Sequence, residues 1–323
     1  MRKILSIFLV VLPLLSVAQF APPAGQEGTT AIHADSSIFV TWATGCVVER
    51  GPMRIDKPQN GVASYGVDAD GIGKANETFV SLGDGGNAVL TFASPICNGP
   101  GPDFAVFENP IENAQQPGFY FLEMGFVEVS SDGVNYVRFP AITNIPETPQ
   151  VGGFGCVEPQ LVHNFAGKYI ALYGTPFDLD ELPDDELVDK NKITHVRIVD
   201  VVGCIQPEYA THDSEGHVVN DPWPTPFESS GFDLDAVGVI HDVAHLAVNE
   251  VGYEQLRVYP NPVVDVLLVP TDEAVNITVY SLQGQRLAVS ESNTVDVSSL
   301  PAGAYVACVQ TNGKIVVNKF IKK

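Results

Sequence analysis

Basic residues are scarce in this chain: 17 Lys and Arg stand against 39 Asp and Glu, for a formal net charge of -22. The deficit is concentrated in one part. Residues 256–323 hold six basic against five acidic side chains and the first eighteen hold two basic ones, which leaves about -25 on residues 19–255. Affinity for nucleic acid is carried mainly by Lys and Arg on phosphates, so nucleic acid is excluded as a partner of that segment, whereas cations, neutral glycans and basic partners stay open. No run of about 18 apolar residues occurs beyond the N-terminus, which excludes a later transmembrane helix. No segment keeps a helical period. Gly-x-Ser-x-Gly, His-Glu-x-x-His and Walker-type sequences are all missing, which removes the commonest hydrolase and nucleotide-binding readings. Without a Cys-x-x-Cys pair, a cysteine metal site is disfavoured.

What is present begins with an export signal. Arg2 and Lys3 precede an apolar run from Ile4 to Val17, and Ser16-Val17-Ala18 offers the small residues a signal peptidase needs. Residues 1–18 are therefore read as a signal peptide cleaved after Ala18, giving a mature protein soluble in the periplasm. Four of the five cysteines, Cys46, Cys97, Cys156 and Cys204, lie in the following segment. In an oxidising compartment they admit two disulfides, by three pairings among which the sequence does not choose. Cys308 is left over and is read as a small apolar residue on a core-facing strand position.

The last part of the chain is the most specific. Val266–Val269 and Ile277–Tyr280 are β-branched runs, Ser281-Leu282-Gln283-Gly284-Gln285-Arg286 is a glycine-bearing turn, and a period of two continues through Ala304, Val306 and Cys308. The expectation is a small antiparallel sandwich. Its opening Val258-Tyr259-Pro260-Asn261-Pro262, its Val279-Tyr280-Ser281-Leu282-Gln283-Gly284-Gln285 hairpin, its Leu300-Pro301-Ala302-Gly303-Ala304-Tyr305 turn and its basic end resemble the type A sorting domain of the type IX (Por) secretion system of Bacteroidota. That resemblance implies passage of a folded cargo across the outer membrane by the type IX machinery, often with removal of the tail and attachment to the cell surface.

Residues 19–245 form the expected passenger, residues 246–255 a linker, and residues 256–323 the sorting domain. The passenger carries recurrent β-branched and aromatic runs at Phe39–Trp42, Asn87–Phe92, Phe104–Phe107, Phe126–Ser130, Val137–Phe139, Tyr169–Tyr173, Thr194–Val201 and Leu234–Ile240. The 24 prolines and 29 glycines fall chiefly between them, as strand ends and turns require. The fold class predicted is all-β, a jelly-roll β-sandwich. The hairpin Phe126–Phe139 around Ser131-Asp132-Gly133, with Phe165–Leu172 and Ile193–Asp200, resembles the discoidin-like, galactose-binding-like jelly rolls. Gly83-Asp84-Gly85-Gly86, Gly99–Phe104 with Val106–Asn109, and Asp221–Pro226 with Gly231–Val237 resemble a family of secreted bacterial cell-surface proteins, which implies location but no catalytic residue.

Chemistry is sought among the acidic loops. Asp213, Glu215 and Asp221, with Asp233, Asp235 and the strand residue Asp200, place alternating oxygen donors around glycine turns, the donor type calcium requires. The spacing departs from an EF-hand loop, since the glycine falls at the fourth position. Asp68 and Asp70 form a smaller candidate, and the acidic residues of 178–189 are read as a solvated loop. His241 and His245 are read as partly exposed histidines instead of a zinc pair, and Glu123 and Glu128 as ordinary strand residues instead of a glycosidase pair. Trp223 and Tyr120 are candidate rings for a sugar platform. The expected function is binding: an exported, calcium-stabilised adhesin or glycan-binding module. The rivals are an extracellular hydrolase of polysaccharide or peptide and a structural surface-layer component.

Overall fold

Where apolar residues alternate in the sequence, strands form, and the parity of each run decides what it buries. In Ile193–Asp200 the inward positions are Ile193, Val196, Ile198 and Asp200. A bulge between Ile193 and His195 resets the alternation. Phe104–Phe107 is buried at all four positions, as a strand covered on both faces must be. The structure, a computed structural model, describes residues 20–183, 185–245, 257–271, 275–282, 284–311 and 314–323. The expected signal peptide and linker lie outside them. The chain divides into two compact units, residues 1–243 and residues 244–323.

The first unit is built on two five-stranded antiparallel sheets. One has the order Ile32–His33, Tyr173–Phe177, Phe104–Phe107, Ala236–Val239, Thr41–Trp42; the other has the order Val137–Arg138, Gly125–Ser130, Ile193–Asp200, Asn87–Ile96, Gly45–Glu49. From Asn87 onward, successive long strands alternate between the sheets, the crossing pattern of a jelly roll. Between the sheets, Leu90, Val127, Val129, Val196 and Ile198 from one face Phe104, Val106, Phe177, Val237 and Val239 from the other. Phe104 stacks on Phe177 with ring centroids 5.5 Å apart. The hairpin read around Ser131-Asp132-Gly133 is present, with Val137 opposite Val129.

Two expectations for this unit are corrected. Tyr169–Leu172 forms no strand, Ala171 and Leu172 making a turn, and the strand begins at Tyr173. Leu172 sits at φ 65°, outside the extended region, which breaks the run. All five cysteines are free thiols, so the passenger disulfides do not form. Cys46 lies on the strand Gly45–Glu49, Cys97 just past the end of Asn87–Ile96, and Cys204 beside Trp223. Burial pushes the Cys46 thiol up to about 12 and that of Cys97 to about 11, which holds both protonated.

The second unit is also antiparallel. A four-stranded sheet runs Arg286–Ser290, Asn276–Ser281, Gly303–Thr311, Lys314–Lys322, beside the pair Val266–Leu268 and Thr294–Asp296. Gly284, at φ 83°, makes the predicted turn. The parity of Gly303–Thr311 is the reverse of that expected: Tyr305, Ala307 and Val309 are buried, and Cys308 points away from the core. Apolar residues occupy both parities here, so alternation alone does not decide; pairing of Val309 with Ile277 and of Ala307 with Val279 does. The Tyr-Pro-Asn-Pro opening is tied to the last strand, because Asn261 donates through Nδ2 to Lys319 O and accepts from Ile321 N at 2.9 Å. Among the described residues no helix is long and apolar enough to cross a membrane.

A candidate carboxylate pocket

The strand ends of the passenger carry an unusual number of buried acids. Asp84, Glu108, Glu123, Asp200, Asp221 and Asp235 are each 6 % exposed or less. They fall into two classes by what their oxygens touch.

Most of them serve the loops. Asp200 continues the inward parity of Val196 and Ile198, and accepts from Gly85 N at 2.8 Å and Phe232 N at 2.7 Å. Gly231 is needed beside it: at φ 71°, a Cβ there would lie 2.7 Å from Asp200 Oδ1. Asp221 accepts from Met124 N, and Asp84 from Ile55 N and from Trp223 Nε1. Asp235 accepts from Asn76 N and Glu77 N. Asp213 accepts from the backbone N–H groups of Thr143, Glu215 and His217, closing its own turn. Buried N–H groups must be satisfied, and these carboxylates satisfy them.

Glu108, Glu123 and Asp233 form the second class. One carboxylate oxygen from each lies within 4.8 Å of the others, and among the described residues no other three acidic, histidine or cysteine side chains converge so closely. Glu108 directly follows the strand Phe104–Phe107; Glu123 lies between the fully buried Leu122 and Met124; Asp233 is held opposite Ser81, whose Oγ donates to it at 2.5 Å. Oε2 of Glu108 is buried and has no hydrogen-bond partner. Removal from water pushes the Glu108 and Glu123 carboxyls well above the usual range, and the Asp233 charge pushes them further. Asp233 is itself pushed up to about 7, chiefly by desolvation. Two full charges 4.8 Å apart repel by about 3 kcal/mol at an effective dielectric of about 20, so the three do not stay ionised without a proton or cation among them.

The triad faces a cavity of about 630 Å³. Its walls carry Phe79, Phe121, Phe154 and Phe227 together with the amides of Asn109 and Gln115, and no Lys, Arg or His lines it. At the mouth, Phe154 is 81 % exposed and Phe227 43 %, with ring centroids 5.6 Å apart.

Of the six metal ligands expected, only Asp233 belongs to this cluster. Asp200, Asp213, Asp221 and Asp235 are engaged by N–H groups as described, and Glu215 lies in the Asp213 turn. The smaller candidate is also loop architecture: Asp68 accepts from Val48 N and Asp70 from Val67 N. The two rings expected to form a sugar platform lie inside the fold. Trp223 and Tyr120 are each only 6 % exposed, Trp223 because it packs beside Cys204 and hydrogen-bonds Asp84, and Tyr120 because it pairs in a short ribbon with Glu112. Glu128 is a strand residue as read, clamped by Arg138 at 2.7 Å and Arg197 at 2.5 Å. Glu123 is not, and Glu108 escaped the sequence reading altogether. The available signal was its place immediately after an unbroken apolar strand.

Residues 257–323 match the family described as secretion system C-terminal sorting domain. No curated protein matches the chain. Among solved structures it is similar to a biofilm-associated protein BSP domain at 11 % identity, covering 73 % of this chain and 48 % of that one, with TM-score 0.21. It is also similar to a Ruminococcus gnavus β-glucuronidase in complex with uronic isofagomine, at 11 % identity over 94 % of this chain and 45 % of that one with TM-score 0.21, and to a Lactobacillus rhamnosus β-glucuronidase, at 9 % identity with the same coverage and TM-score 0.20. The chain spans less than half the length of each, and similarity this low assigns neither a fold family nor an activity. The sorting module carries the assignment: the last 67 residues are a C-terminal sorting domain, and the protein is a type IX secretion cargo delivered to the cell surface or the extracellular space.

Proposed function

We propose that the exported β-sandwich is a binding protein whose ligand is a neutral glycan, held in the pocket above Glu108, Glu123 and Asp233. The observation that carries this reading is the solvent-exposed Phe154–Phe227 ring pair at the mouth of a cavity with a carboxylate floor. A sugar offers an apolar C–H face, which rings accept, and hydroxyl donors, which carboxylates accept. The volume falls in the range of about 300–1,000 Å³ typical of ligand pockets. The acidic floor selects against uronic or sulfated sugars, since it supplies no cationic partner for them.

A glycan array with the mature protein, run with and without calcium, tests this. Neutral glycans should bind, and Phe154→Ala should weaken them about tenfold, the worth of one good ring contact, with the melting temperature unchanged because the ring is exposed. A blank array, or binding dominated by acidic glycans and indifferent to Phe154→Ala, would remove the reading.

Converging carboxylates of raised pKa also favour a second reading, hydrolysis of the bound glycan. The exposed Phe154–Phe227 ring pair at the mouth, a surface for a ligand rather than for a reaction, makes binding the stronger reading. Release of reducing ends from an array hit, abolished in Glu123→Gln, would decide for hydrolysis.

A further inference from the structure

We propose that Glu108, Glu123 and Asp233 are the ligands of a calcium ion at the floor of the passenger cavity. Three independent features point there. The three carboxylates present one oxygen each within a sphere a single cation spans, 4.8 Å across at most. Oε2 of Glu108, on a side chain only 3 % exposed, is buried in that cluster without a hydrogen-bond donor, whereas the buried oxygens of Asp200 are both taken by N–H groups. A buried carboxylate oxygen left unpartnered is costly; a proton would relieve one carboxylate, whereas a single cation partners all three at once.

The third feature is the lack of a cationic side chain in the cavity wall: no Lys, Arg or His lines it. The charge of nearby Arg50 reaches Asp233 through space. Its guanidinium donates its hydrogen bonds to the carbonyls of Tyr65, Ser81 and Gly66 at 2.7, 2.6 and 2.8 Å and none to the triad, so one cation at a distance stands against three carboxylates. An all-carboxylate donor set suits a hard cation, and the absence of imidazole from the cluster argues against zinc. Calcium takes six to eight oxygens in flexible geometry. Three carboxylates on a cavity floor leave the open side for water or for ligand hydroxyls, while magnesium demands a tighter octahedron than a floor of this kind imposes.

The site lies in the same pocket as the proposed glycan, but it rests on the triad alone. The test uses the mature full-length protein, stripped with chelator and titrated with calcium chloride at pH 7.5, followed by calorimetry and melting temperature. One ion per chain should bind, with a melting temperature that rises with calcium concentration. Glu108→Gln and Glu123→Gln should each weaken binding by about 100-fold or more, since even an outer-shell partner is worth about 10–100-fold. In chelator, Glu108→Gln should melt no lower than the wild type, because it deletes a buried charge; this separates loss of the ligand from loss of the fold. Asp213→Asn, in the turn first expected to hold calcium, should bind as the wild type does. No heat and no melting shift at millimolar calcium would overturn the proposal, as would wild-type affinity in both Gln variants or loss of binding in Asp213→Asn alone. Calcium binding with a blank glycan array upholds this site and removes the glycan reading; glycan binding without calcium binding does the reverse.

Discussion

Glu108 follows four buried strand residues and is itself only 3 % exposed, so its charge is largely withdrawn from solvent. The same holds for Glu123, Asp200 and Asp221, whose carboxyls burial pushes well above the usual range. The consequence for stability has a definite sign. Between the ordinary carboxylate range and the raised values, the native state binds more protons than the unfolded chain, so stability falls as pH rises. For Asp233 that window runs from the ordinary 3.8 to about 7. In chelator, the melting temperature should therefore drop across this window, which a pH series of thermal melts will show, and Asp233→Asn should flatten its upper part. Saturating calcium should shrink the drop, because the cation stands in for the protons. A melting temperature that climbs steadily from pH 4 to 7 in chelator would contradict the burial argument.

At the scale of the element, the parity of Gly303–Thr311 is the sharpest point. Ala307 faces the core of the sorting domain between Val279 and its neighbours, while Cys308 faces outward. Ala307→Leu adds volume to a packed interior and should cost about 1–3 kcal/mol in denaturant unfolding. Cys308→Ser should stay within about 0.5 kcal/mol. The opposite outcome would restore the reversed register. The loops of the passenger obey a comparable logic: Asp213, Asp84 and Asp200 are spent on N–H groups, so acidic loop residues that look like ligands in the sequence act as turn closures in the fold.

At the scale of the whole molecule, the sorting domain carries the address and the acidic passenger is what it delivers. The sorting core includes Phe320 on the final strand, and Asn261 joins the Tyr-Pro-Asn-Pro opening to that strand. Deleting residues 314–323 takes a strand and a core ring from the sheet. The protein should then accumulate in the periplasm of its natural host, as fractionation and protease treatment of intact cells will show. Normal delivery of the truncated chain would contradict the role of this domain.

The sequence by itself determined the β class, the address and the hairpins around Asp132-Gly133 and Gly284, because period-two alternation, turn glycines and a motif-rich tail are local signals that survive without knowledge of the fold. It did not determine the site. Glu108, Glu123 and Asp233 are far apart in the chain, and their convergence depends on where three strand ends meet after the sheets have packed. The sequence drew attention to dense acidic loops instead, where closeness along the chain mimics closeness in space. Likewise Trp223 and Tyr120 read as accessible rings by their proline and glycine neighbours, yet packing buried them and left Phe154 and Phe227 exposed. Tertiary structure decided which oxygens were consumed by backbone N–H groups and which were left facing the cavity, since that accounting can be made only when every donor has found its place.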